Sequence, residues 1–160
     1  MNSVFPYGGP WAAANCIDGN TGAPYCHSGL VDTSDPWLSV QITPGYSISH
    51  VLIYNGAGNP FWGYITPGYE VWVTNAPGRP STSIGTMCGV SGVLPAATGP
   101  FATRCNVAAP NPAYVTIYYP PNGGTRYLAF AEVEVYGAFD SPPPPPPPKQ
   151  RSFSQGPPLS

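Results

Sequence analysis

Charge is what this sequence has least of. Only 8% of its 160 residues are charged, against about 25% in an ordinary soluble domain, so hydroxyls, amides or attached sugar must supply solubility. Up to residue 140, three basic side chains (Arg79, Arg104 and Arg126) stand against seven acidic ones. That net negative body repels phosphate backbones and argues against nucleic-acid binding. No apolar run approaches the roughly 18 residues that cross a bilayer, so no membrane insertion is expected. The start, MNSVFPYGGPW, lacks the basic region and apolar segment of a secretory signal; the expectation is a chain whose signal was removed, or a piece of a longer secreted chain. No window carries an apolar period of 3.6 residues long enough for an amphipathic helix. Only two histidines are present, and Gly-x-Ser-x-Gly, His-Glu-x-x-His and phosphate-loop motifs are missing, so no enzyme activity is expected. Asn-x-Ser/Thr is missing too, which removes N-glycans as a source of hydration.

Proline and glycine are abundant instead, 24 and 19 residues. Without a period such a content signals disorder, yet 42% of the chain is hydrophobic and 13% aromatic, too much for a disordered tract. The two signals divide along the chain. Fifteen prolines fall before Asp140 and nine after it; the fifteen are spaced like turns between short strands. Trp37 to Ile42, Ser49 to Asn55, Tyr69 to Thr74, Ala113 to Tyr119 and Arg126 to Tyr136 read as strands. In the third of these, Val71 and Val73 share one face, and Glu70, Trp72 and Thr74 the other. Ala76 to Pro112 is the least regular stretch, with one or two short strands expected within loops. The reading is an all-β antiparallel jelly-roll sandwich over 1–139, with one core. A Ser-Pro-rich polyproline II segment over 140–148 and a flexible polar tail over 149–160 follow.

In that segment Pro142, Pro143, Pro144, Pro145, Pro146, Pro147 and Pro148 form an unbroken run. Proline lacks the N–H a sheet needs, and seven of them make a stiff rod of about 20 Å. The run resembles the extensin-type blocks of plant and green-algal hydroxyproline-rich glycoproteins, whose prolines are hydroxylated and carry sugars. Four cysteines, Cys16, Cys26, Cys88 and Cys105, form no C-x-x-C pair, which favours two disulfides over zinc. Three pairings are open. Nearest-neighbour pairing closes loops of about 10 and 17 residues, each worth about 3 kcal/mol through the unfolded state. Disulfides, low charge and the proline tail together point outside the cell.

The motifs Ala14-Asn-Cys-Ile-Asp-Gly-Asn-Thr21, Tyr25-Cys-His-Ser28, Asp35-Pro-Trp-Leu-Ser-Val-Gln-Ile42, Ile48-Ser-His-Val-Leu-Ile-Tyr-Asn55 and Phe130-Ala-Glu-Val-Glu-Val-Tyr-Gly137 resemble, in order, those of the discoidin or coagulation factor 5/8 type C domain. Within it they are most similar to the fucose-binding F-type lectins. The resemblance implies an eight-stranded jelly roll whose loops at one end bind sugars, with a structural calcium near the Ile-Asp-Gly-Asn turn. Carried over, the calcium ligands are Asn15, Asp18, Asn20, a hydroxyl or carbonyl around Ser28, and Glu132. Cys88 and Cys105 match a family cystine. Independently of the family, Asp18-Gly19-Asn20 offers hard oxygens in a tight turn, which suits calcium, although such residues also cap backbone groups in ordinary turns. His27 occupies the place of the family's fucose-binding histidine. The family's arginine segment reads Asn55-Gly-Ala-Gly-Asn-Pro-Phe-Trp-Gly-Tyr64 here and has no arginine, whose fork of donors other residues do not reproduce; fucose binding by the family mechanism is not expected.

That loop offers Asn59, Phe61, Trp62 and Tyr64 instead, with Trp11 and Tyr25 nearby: rings that stack on sugar faces or proline rods, flanked by an amide. His50 lies in a strand, facing solvent or packing. Glu132 and Glu134 share a strand face, which a structural role near the calcium turn explains. The expected function is a non-catalytic extracellular module of a hydroxyproline-rich matrix, cell wall or flagellar fibre. It would contact carbohydrate or glycosylated proline-rich partners and self-assemble in a fibre or wall. The alternatives are a soluble lectin of non-fucose specificity and a carbohydrate-binding appendage of a secreted enzyme.

Overall fold

Alternating side chains build two facing sheets. The computed structural model describes residues 1, 11–29, 35–55, 68–90, 99–121 and 127–139. In the first sheet, strands β2 (Trp37–Ile42), β7 (Ala113–Tyr118), β4 (Glu70–Thr74) and β5 (Gly85–Val90) lie side by side in that order. Every pairing is antiparallel: Leu38 sits opposite Ile117 and Ile117 opposite Val71, with Val40, Val115 and Val73 in the next inward row. The second sheet has the order β6 (Phe101–Ala108), β3 (Tyr46–Tyr54), β9 (Glu132–Phe139). It turns Ile48, Val51, Ile53 and Val133 inward. These aliphatic rows close on each other with Leu128, Phe130 and Tyr69, and the fold is an all-β antiparallel jelly-roll sandwich. A two-stranded ladder of β1 (Cys26–His27) and β8 (Ala129–Phe130) completes the nine strands of the described residues.

The strands expected from alternation are present with shifted ends. β3 begins three residues early, at Tyr46, and the stretch 126–136 divides into β8 and β9 at Ala131. The larger difference lies between residues 76 and 112. β5 and β6 are strands of six and eight residues, and β6 pairs with β3 along most of its length. Its sequence, FATRCNVA, alternates small and polar residues and carries few large aliphatics, so it reads as loop until a neighbouring strand supplies the apolar cover.

The cystines are Cys16–Cys26 and Cys88–Cys105, with Cα–Cα separations of 5.2 and 4.5 Å. The second clasps β5 to β6, and so one sheet to the other along one edge. The outer face of the first sheet is also covered. Ser39 Oγ and Thr116 Oγ1 lie 2.8 Å apart, Thr116 Oγ1 and Thr74 Oγ1 3.2 Å. The chain of hydroxyls ends on the 75–84 connection, where Thr74 Oγ1 donates to the Ala76 carbonyl and the Gly78 amide donates to Ser39 Oγ. Buried hydroxyls are tolerated because each has partners. Beside them the Tyr118 hydroxyl donates to Asp35 Oδ2 at 3.0 Å, and Arg79 pairs with the same carboxylate.

The sandwich has two unlike poles. At one, β3 ends, β9 and β4 begin, and residues 11–29 and the β1–β8 ladder pack; this is the loop pole. At the other lie the β2–β3 turn, the 75–84 and 109–112 connections and the end of β9 at Phe139, from which the proline-rich extension continues. Asn59, Phe61, Trp62 and Tyr64, as well as Pro142 to Pro148, lie outside the described residues.

Candidate functional site at the loop pole

The local sequence places a histidine in a clasp of rings. Cys26 is fixed to Cys16 in the 3-10 turn Ala13–Cys16, and its neighbour His27 is thereby held opposite Ala129. The ladder extends beyond the strands, since the Ser28 amide donates to the Leu128 carbonyl and the Leu128 amide donates to Ser28 Oγ, each at 2.9 Å. The His27 ring stacks on Tyr127, with centroids 4.9 Å apart and planes 20° from parallel, and meets Trp11 edge-on at 6.0 Å. His27 is buried. Its Nδ1–H donates to the Ser28 carbonyl, which leaves Nε2 as the acceptor. Burial pushes the imidazole pKa below its ordinary value, and the Ser28 carbonyl partly offsets this.

The adjacent turn brings acid side chains together. Glu132, at the start of β9 and only 3% exposed, accepts a hydrogen bond from the Gly19 amide at 2.8 Å. Burial raises its carboxyl, the Gly19 amide opposes this, and the Asp18 charge raises it again. Gly19 has φ +80°, a left-handed conformation that glycine adopts without strain; it lets the turn aim its amide at the glutamate. Within the turn Asp18 Oδ1 accepts from the Asn20 amide and Asn20 Oδ1 from the Gly22 amide, both at 2.9 Å. The Asn20 side-chain amide donates to the Ala23 carbonyl at 2.7 Å. Asp18, Asn20 and Glu132 are thus gathered at one turn. The Asn15 side-chain amide turns to the Tyr25 carbonyl at 3.1 Å, and the Ser28 hydroxyl serves the β1–β8 ladder.

Sequence reasoning singled out His27 and missed Tyr127, its stacking partner. Tyr127 stands just before β8 in a run read as one strand, and the pairing of that run with Cys26–Ser28 brings its ring to His27. Trp11, expected beside the 55–64 loop that lies outside the described residues, meets His27 instead. Among the described residues no group of three or more His, Cys, Asp and Glu side chains clusters as a metal site.

No family model matches the chain, and no curated protein does. Solved structures do. The chain is similar to an F-lectin (fucolectin) from striped bass serum, with 25% identity over 85% of this chain and a TM-score of 0.64. It spans 43% of that lectin's length. It also resembles the lectin domain of lectinolysin complexed with Lewis B antigen, with 21% identity, a TM-score of 0.56, and 84% of this chain and 88% of that one covered. A third neighbour is chitosan-binding module 2, in complex with chitotriose, of a Paenibacillus chitosanase/glucanase. There identity is 20%, the TM-score 0.53, and 85% and 92% of the two chains are covered. The last two likenesses are of fold.

Proposed function

We propose that this chain is a non-catalytic carbohydrate-binding module that acts outside the cell and takes its sugar at the loop pole. The observation that carries the reading is the ring clasp of Trp11, His27 and Tyr127. It sets an imidazole among aromatic rings, the mix of stacking surface and polar ring nitrogens that saccharide sites use. The likeness to the striped bass fucolectin, and to modules solved with Lewis B antigen and chitotriose, supports it. The Asn55–Tyr64 segment has no arginine to match those of fucose binders, so the reading is of a glycan other than fucose. Calcium fits the adjoining turn: Asp18 and Glu132 bring hard oxygens to one place, and a cation there would draw on Glu132, the second Asp18 oxygen and main-chain carbonyls. The ion would hold the loop in position rather than take part in chemistry.

Two disulfides favour an oxidising compartment. The Ser-Pro run supports a finer reading, in which hydroxylated and glycosylated Pro142 to Pro148 form a stalk that places the module in a matrix, cell wall or flagellar fibre. The test is a glycan array and calorimetry with the full chain, in calcium and after chelation. Saturable binding to a glycan is expected, weakened tenfold or more in Tyr127→Ala and weakened on chelation. Absence of binding to every glycan overturns the reading; binding indifferent to chelation removes the ion alone.

A further inference from the structure

Far from the loop pole, the outer face of the second sheet carries a polar and aromatic constellation that the ring clasp does not use. The pairing of β3 with both neighbours is irregular between Ile48 and His50, which adds Ser49 to the outer surface. Bulges of this kind re-aim side chains and are frequent at sites. Ser49 Oγ donates to the Tyr136 carbonyl at 3.1 Å and lies 2.9 Å from His50 Nδ1. Across the strand pair the His50 and Tyr136 rings stack at 4.7 Å, 3° from parallel. Tyr136 is nevertheless 43% exposed. Its hydroxyl donates to Glu134 Oε2 at 2.8 Å, and the same oxygen receives the Tyr54 hydroxyl at 3.3 Å. A ring pinned by a stack on one side and a hydroxyl anchor at its tip loses little freedom when a ligand settles on it.

Next to this platform is a hollow of about 370 Å³ lined by Ser47, Ile48, Ser49, Asn106, Gly137 and Ala138. That size lies in the lower part of the range of small-molecule sites, about 300–1,000 Å³. Gly137 belongs to its floor, where β9 and β3 approach as only glycine allows: a Cβ there would meet the Ser47 carbonyl oxygen at 2.4 Å. The lining has hydroxyls, an amide and no ionisable group, which suits a neutral ligand in the hollow itself.

From this juxtaposition we infer that the outer face of β3, β6 and β9 is a second binding site, for a neutral saccharide stacked on Tyr136 with its hydroxyls in the Ser49–Asn106 hollow. The chemistry discriminates against the other occupant that aromatic surfaces attract. A proline rod presents carbonyl acceptors and no donors, whereas this face offers acceptors as well as donors: the Glu134 carboxylate beside the ring, and hydroxyl and amide groups in the hollow. Sugar hydroxyls donate and accept, and the apolar face of a pyranose suits an exposed phenol ring. The site does not depend on the function proposed for the loop pole. Two sites on one domain would allow a single module to bridge glycan chains, or to hold one chain with the avidity of two contacts.

The experiment is an NMR titration of the isotopically labelled full chain with chitotriose and with galactose- and arabinose-terminated oligosaccharides. The inference expects saturable shifts at the amides of Ser49, Asn106, Tyr136 and Gly137 with at least one of these probes. Tyr136→Ala and, separately, Asn106→Ala should weaken binding tenfold or more, with the rest of the spectrum intact. Tyr136→Phe should retain it within about threefold, and Tyr127→Ala at the other pole should leave it unchanged. Shifts confined to His27 and Tyr127 overturn the second site and leave the loop-pole reading standing; shifts confined to the sheet face do the reverse. If only a proline heptapeptide moves Tyr136, the face is a protein-docking surface and the saccharide assignment is wrong.

Discussion

At the scale of single residues, one carboxylate organises much of the first sheet's outer surface. Asp35 accepts the Tyr118 hydroxyl and pairs with Arg79, whose guanidinium lies 5.9 Å from the Tyr118 ring centre. Burial, with the Asp35 bond second, pushes the Tyr118 phenol up to about 12, against about 10 for an unperturbed tyrosine. The sign follows from proton counting. Below pH 10 the phenol is protonated in folded and unfolded chains alike. Between about 10 and 12 the unfolded chain releases its proton first, so stability is lost as pH rises through that interval. Urea unfolding at pH 9 and pH 11 should show a smaller midpoint loss in Tyr118→Phe than in the parent; equal losses would mean that this phenol is not the responsible group. The residue scale also shows how much of the sites was legible. His27 and the Asp18-Gly19-Asn20 turn could be singled out because a histidine beside a cysteine and a carboxylate beside a glycine are local patterns. Tyr127, Tyr136 and Glu134 were not, or were given duller roles, because their partners lie far away in sequence: His27 is a hundred residues from Tyr127, and Tyr54 eighty from Glu134.

At the scale of elements, inward alternation is a strong signal, and a strand without an aliphatic row is a weak one. β2, β4 and β7 were readable because each carries two or three aliphatics in every other position, and burial of those rows makes the register unique. β5, GTMCGV, has no such row. It belongs to the sheet through its pairing with β4, and Cys88 ties it to β6 of the facing sheet. Gly85 shows how close that pairing is: a Cβ there would meet the Val73 carbonyl oxygen at 2.4 Å and Thr74 Cγ2 at 2.6 Å. Gly85→Ala must therefore push the start of β5 away from β4, at a cost of about 1–3 kcal/mol. Hydrogen exchange should show faster amides in 85–90 and unchanged ones in β3, which the change does not touch. Uniform loss of protection would instead mean that β5 unfolds with the whole sandwich.

At the scale of the molecule, the two poles differ in how they are built. The cystine Cys16–Cys26, the β1–β8 ladder and the Glu132–Gly19 bond all brace the pole where the rings of Trp11, His27 and Tyr127 meet. The chain that continues toward Pro142 leaves β9 at the opposite pole. A module attached through its extension would therefore present the ring clasp outward, away from whatever the extension is fixed to. Attachment chemistry can test this with exposed positions near each pole. Thr21 stands beside the Asp18–Asn20 turn, and Thr82 lies on the 75–84 connection at the far pole; both are exposed. Full chains carrying Thr21→Cys or Thr82→Cys, coupled at equal density to a surface through the new thiol, should differ in capacity for a glycan that binds the loop pole. The Thr82-linked protein should keep its capacity and the Thr21-linked protein should lose most of it. Sheet-face binding at Tyr136, measured on the same surfaces, should follow a different order because that face lies beside the sandwich's long side. If both linkages leave loop-pole binding equal, the clasp is not the ligand's seat, and the opposite arrangement of stalk and site has no functional meaning.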